Sequence, residues 1–211
     1  MSPYTFPFDT CEKPSKDGLV AQPYSVGINI ITCSIVFYFL TLTTTYHAFF
    51  LLLSLLIFEL FHTLSHFIHI EGKFLYTITH ISGFLVNLSF LNFLYNYTGV
   101  FPSNTYLIFL LGIIVADIFC FFNLSFIFFI ATQILLFLAI LFYYYNRLPS
   151  NIKKRLILLV CSTFLIYLLF VNEKMNCKKM MKMFPSFPFH MIIEIVSIIP
   201  IYFLSDTFYN L

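Results

Sequence analysis

The sequence predicts an all-α polytopic membrane protein, a bundle of about seven transmembrane helices, and three observations carry that prediction. The 211-residue chain is 60% hydrophobic and only 9% charged, against roughly 25% charged residues in soluble domains. Its apolar residues, with 30 Phe and 14 Tyr among them, gather into stretches of about 20 residues, the length that crosses a hydrocarbon core about 30 Å thick. Short breaks rich in Gly, Pro, Asn and charge separate those stretches.

Residues 1–25 read as a polar N-terminal tail and residues 26–211 as the seven-helix transmembrane domain. The tail mixes acids and bases and lacks the apolar core that a cleavable signal peptide places near its start, so a short, loosely ordered extension is expected. The apolar stretches are 26–46, 47–70, 73–97, 105–122, 124–145, 154–171 and 188–209. Glu71-Gly72-Lys73 is a charged turn with a helix-ending Gly; Thr98-Gly99 and Phe101-Pro102-Ser103-Asn104 make the next break. Pro149 and several charges punctuate 146–154, a Lys- and Met-rich segment expected to be a loop spans 172–188, and the weakest break falls at Asn123.

Seven crossings put the termini on opposite faces. The N-terminal face then carries Lys13, Lys16, Lys73, Lys174, Lys178, Lys179 and Lys182, and the other carries Arg147, Lys153, Lys154 and Arg155. Excess Lys and Arg marks the cytoplasmic side, which favours a cytoplasmic N-terminus. The organelle is left open, with endoplasmic reticulum or Golgi as fitting compartments. A net charge of +2 without a basic stripe gives no sign of a nucleic-acid partner; membrane lipids are the expected partners, and no soluble protein partner can be inferred. The five cysteines (Cys11, Cys33, Cys120, Cys161, Cys177) are odd in number and show no paired spacing. They indicate neither a disulfide framework nor a zinc knuckle and are expected mostly as small apolar fillers.

Ionisable groups within membrane helices are expensive and mark functional sites. In the second stretch Glu59, His62, Ser65, His66 and His69 share one helical face of about 120°. His62 and His66 stand four apart, a spacing that lets two imidazoles from one helix reach one metal ion. At 1.5 Å per residue, His62 lies about 12 Å and His66 about 6 Å from the N-terminal face, with His80 about 10 Å, Asp117 about 8 Å, His190 about 3 Å and Glu194 about 9 Å from that same face. Four helices thus present metal-capable groups in one slab. The expected metal ligands are His62, His80 and His190, with His66 and His69 as alternatives; Glu194 is a fourth ligand or a base. Ser65 and Asp117 complete the catalytic candidates, Asp117 and Glu59 as further possible bases. Taken singly, a membrane histidine or carboxylate is more often an interhelical hydrogen-bonding group.

Imidazole and carboxylate ligands without thiolates suit zinc, with iron or another divalent ion also compatible. Three protein ligands with an open fourth position make a catalytic arrangement, and in a membrane the reachable substrate is a lipid amide or ester.

Those residues resemble the superfamily of seven-helix membrane hydrolases and receptors that includes alkaline ceramidases, adiponectin/progestin receptors, hemolysin III-like proteins and Per1-like proteins. Phe61-His62-Thr63 is similar to the helix-two Phe-His-Thr of the receptor branch, Thr79-His80 falls where hemolysin III-like members show Asp-His, and His190-Met191-Ile192-Ile193-Glu194 falls where the family has His-x3-His. In that register Phe58 replaces the family's Ser, Thr79 its Asp and Glu194 its second helix-seven His. A second register takes Ser65-x3-His69 as the Ser/His pair and sets His80 at about the ceramidase Asp spacing. The resemblance implies a zinc site and hydrolysis of ceramide-like amides or related lipid bonds.

Two other readings stand beside the hydrolase. One is a non-enzymatic receptor, channel or structural protein whose His/Glu cluster only ties helices together. The other is a di-iron hydroxylase or desaturase, for which His62-x3-His66 resembles a first histidine box; such sites use about eight histidines, and this chain has six.

Overall fold

A computed structural model describes residues 5–6, 11, 19–68, 70–71, 73–99, 103–123, 126–185, 187–209 and 211. Among them run seven helices: α1 (Pro23–Thr41), α2 (Tyr46–Phe67), α3 (Lys73–Thr98), α4 (Ser103–Asn123), α5 (Phe126–Tyr144), α6 (Ser150–Met183) and α7 (Phe189–Phe208). Six of them are long and apolar enough to cross a membrane, and α5 carries no charged residue along its length. The chain is an all-α polytopic bundle.

Local chemistry sets the helix ends. Pro23 opens α1 at a first-turn position, where its missing N–H costs nothing. Thr45 caps α2, its hydroxyl accepting from the Ala48 N–H at 3.3 Å. Gly99, at φ 61°, closes α3 in the left-handed conformation that glycine adopts without steric penalty, and its N–H donates to the Tyr95 carbonyl at 3.1 Å. Pro149 and Pro188 stand at the entries to α6 and α7.

Three expectations are corrected. The first helix runs Pro23–Thr41 rather than 26–46, because Thr45 is engaged in capping α2. The segment 172–188 is helical through Met183; lysine is a good helix former, so charge ends the apolar run without ending the helix. At 34 residues, α6 is about 51 Å long and outreaches a core of about 30 Å. The cysteines do form a bridge: Cys11 and Cys177, 166 residues apart, are disulfide-bonded. Cys33, Cys120 and Cys161 are free, and of the three Cys120 is the buried filler.

Sequential helices pack side by side, and α7 returns to pack against α1, closing a ring. The main core lies toward the C-terminal face. Leu51, Phe90, Leu94, Tyr144, Leu156 and Phe208 meet there, and Arg155 of α6 pairs with Asp206 of α7 at its rim. Toward the N-terminal face that core gives way to a partly open cavity of about 290 Å³ lined by α2, α3, α5, α6 and α7.

Part of the N-terminal tail is tied to the bundle. Thr5–Phe6 pairs antiparallel with Ile70–Glu71 (β1 and β2). The Ala21 and Gln22 N–H groups donate to the Phe67 and His66 carbonyls at 3.1 and 3.0 Å, satisfying carbonyls that the last turn of α2 would otherwise leave open.

Candidate metal centre

The periodicity of α2 puts Glu59, His62, Ser65 and His66 on one face, and all four line the cavity. Helix α7 runs antiparallel to α2, with His190 in its first turn and Glu194 one turn deeper. Their side chains meet across the interior.

His62 Nε2 and His66 Nε2 are 3.2 Å apart. They lie 3.5 and 3.3 Å from the same atom, Glu194 Oε1, and His190 Nε2 is 2.9 Å from it. His66, His190 and Glu194 are each only 1% exposed. The triangle formed by His62, His66 and Glu194 has the edge of a metal tetrahedron: zinc bonds of about 2.0–2.1 Å put neighbouring ligand atoms roughly 3.3 Å apart. This group can hold a metal ion.

The far sides of the rings point to the same chemistry. His66 Nδ1 bonds Gln22 Oε1, which as an amide oxygen only accepts. His190 Nδ1 lies 3.0 Å from Glu173 Oε2, and His62 Nδ1 lies 3.5 Å from Glu59 Oε2. Each ring thus has an oxygen acceptor behind it; with the proton on Nδ1, the Nε2 lone pair of each ring faces Glu194. Metal-ligating histidines are oriented by such outer partners. Ring lone pairs and a carboxylate oxygen at these distances repel one another alone and are satisfied together by a cation. Phe58 stacks on His62 at 6.2 Å and Phe170 meets His190 edge-on at 5.6 Å, fixing the ring planes.

The other candidates fall elsewhere. His80 is buried on α3 and packs edge-on against Phe121 of α4 at 5.7 Å; its neighbour Thr79 lines the cavity, and His80 does not. Asp117 is on α4, a helix that contributes nothing to the described cavity wall. Ser65 lines the cavity with its hydroxyl donating to the His62 carbonyl. His69 lies outside the described residues.

Sequence reasoning passes over Gln22 and Glu173. Gln22 sits in the segment read as tail and Glu173 in the segment read as loop. The helix-forming Lys and Met of 172–183 are the signal that could have placed Glu173 on a helix. No protein-family model, curated protein or solved structure matches the chain.

Proposed function

We propose that the protein is an integral membrane zinc hydrolase acting on a lipid amide or ester. The observation that carries this reading is the convergence of His62, His66, His190 and Glu194 at one end of a predominantly apolar cavity. A volume of about 290 Å³ is at the lower end for ligand sites and suits one acyl chain. Leu55, Val86, Phe137, Ile166, Ile201 and Leu204 provide the wall such a chain needs.

Zinc in this site supplies polarisation of a carbonyl and acidification of water. The chain's own residues do the rest. His62, His66 and Glu194 hold the ion, with the Nε2 of His190 as a fourth ligand. The acyl wall orients the lipid so that its scissile carbonyl meets the histidine end, turning apolar burial into alignment of the reacting group. Glu59 is the other carboxylate among the described residues lining the cavity, and it is the candidate general base. Incubated with a fluorogenic long-chain lipid amide or ester, the purified protein is expected to release the fluorophore. A strong chelator should abolish turnover and zinc should restore it. Chelator-resistant turnover, or none with any amide or ester at full zinc loading, would remove the hydrolase.

The disulfide bears on orientation. Charge counting favours a cytoplasmic N-terminus, but by a small margin, whereas the bond between Cys11 and Cys177 needs an oxidising environment. The disulfide supports a luminal or extracellular position for the N-terminal face and the candidate metal centre near it. A glycosylation acceptor fused to the N-terminus should be modified in microsomes, and one fused to the C-terminus should not. The reverse pattern restores the orientation read from charge.

A further inference from the structure

Glu173 is a carboxylate only 4% exposed, and the hydrolytic chemistry does not call on it. Burying such a group is costly, and both of its oxygens are engaged. Oε2 faces His190 Nδ1 at 3.0 Å, and Oε1 accepts the backbone N–H of Cys11 at 2.8 Å. Four residues on, one turn along the same face of α6, Cys177 is bonded to Cys11 itself. The disulfide and the amide hydrogen bond thus seat residue 11 on two successive positions of one helix face. That contact holds the Glu173 carboxylate against α7.

We propose that Glu173 is a positioning residue for the metal centre, turning the Nε2 of His190 inward, and that the disulfide-anchored Cys11 amide locks it there. The proposal rests on the metal reading above. A carboxylate only accepts, so the proton stays on Nδ1 and the Nε2 lone pair is left for the ion. The donor above Glu173 is a backbone amide with no rotamers of its own. Its place is set by the covalent bond, so the disulfide acts on the metal without touching it.

The test uses the full-length protein in detergent, with zinc alone as the probe in competition with a chromophoric chelator. Glu173→Gln should weaken zinc binding about 10- to 100-fold, the range for outer partners of metal ligands, because one amide oxygen must then serve two donors. Glu173→Asp should recover part of the loss. Cys11→Ser/Cys177→Ser should also weaken binding, and adding it to Glu173→Gln should cost little more, because both act through one contact. A purely structural tie between α6 and α7 would lower stability without this pattern.

The second readout needs no metal. In zinc-free protein with labelled histidines, the nitrogen resonances of His190 should report Nδ1 protonation in wild type and loss of that preference in Glu173→Gln. Zinc affinity within twofold of wild type in the folded Glu173→Gln protein overturns the proposal. If wild type takes no zinc at all, the metal reading fails by itself, and the His190 tautomer decides alone: an unchanged tautomer in Glu173→Gln overturns the positioning role.

Discussion

The His66→Ala/Glu194→Ala protein is expected to purify without zinc, where wild type carries about one ion per chain. The two substitutions remove two corners of the triangle whose sides measure 3.2, 3.5 and 3.3 Å, and His62 cannot hold the ion with His190 alone. Elemental mass spectrometry reads the loss. Stability gives a second reading that also separates a metal centre from a hydrogen-bonded scaffold. With free zinc at about 1,000 times its dissociation constant, binding adds about 4 kcal/mol to the folded state. A chelator should therefore lower the melting temperature of wild type and leave the variant unmoved. Once metal is gone, the variant should melt no lower than wild type, because it has shed crowded lone pairs and a buried carboxylate. A scaffold behaves oppositely: removing His66 and Glu194 would break interhelical hydrogen bonds worth up to about 2 kcal/mol each, whatever the metal supply. Equal zinc content in the two proteins would end the metal reading.

Much of this molecule can be read from its sequence, and the parts that cannot share a physical reason. Hydropathy reports where lipid is, so it locates the apolar part of every helix. It is silent on helix that continues into the polar region, which is why it ends α6 too early and leaves Glu173 in a loop. Helical periodicity reports which residues share a face, so Glu59, His62, Ser65 and His66 group together on their spacing alone. Periodicity does not say which face of a neighbouring helix turns inward. His80 and Glu194 are nearly equivalent by depth; α3 turns Thr79 to the cavity and His80 toward Phe121, whereas α7 turns His190 and Glu194 inward together. The pairing of Cys11 with Cys177 leaves no local trace, since it joins segments 166 residues apart and depends on the ring closing through α1 and α7.

Filling the apolar end of the cavity should shorten the acyl chain the protein accepts. Ile201 lies seven residues beyond Glu194 on α7, about 10 Å deeper, and both line the cavity together with Leu204. Ile201→Trp places an indole across the passage, so the far part of a long chain loses its seat. Each methylene buried there contributes about 0.8 kcal/mol; excluding four of them costs about 3 kcal/mol, a factor of roughly 200. Turnover of a long-chain amide or ester, measured as kcat/KM, is expected to fall by about that factor. A short-chain substrate that ends before residue 201 should keep its rate, and zinc content should be unchanged because the metal ligands lie two helical turns away. If long- and short-chain substrates decline together while zinc is retained, the chain does not lie along α7. If both decline with loss of zinc, the indole has forced α7 apart, and Ile201→Phe repeats the test with a smaller plug. Selective loss of long chains would establish that one cavity binds the lipid tail and presents its head to the histidines, a division of labour that neither a receptor nor a structural tie requires.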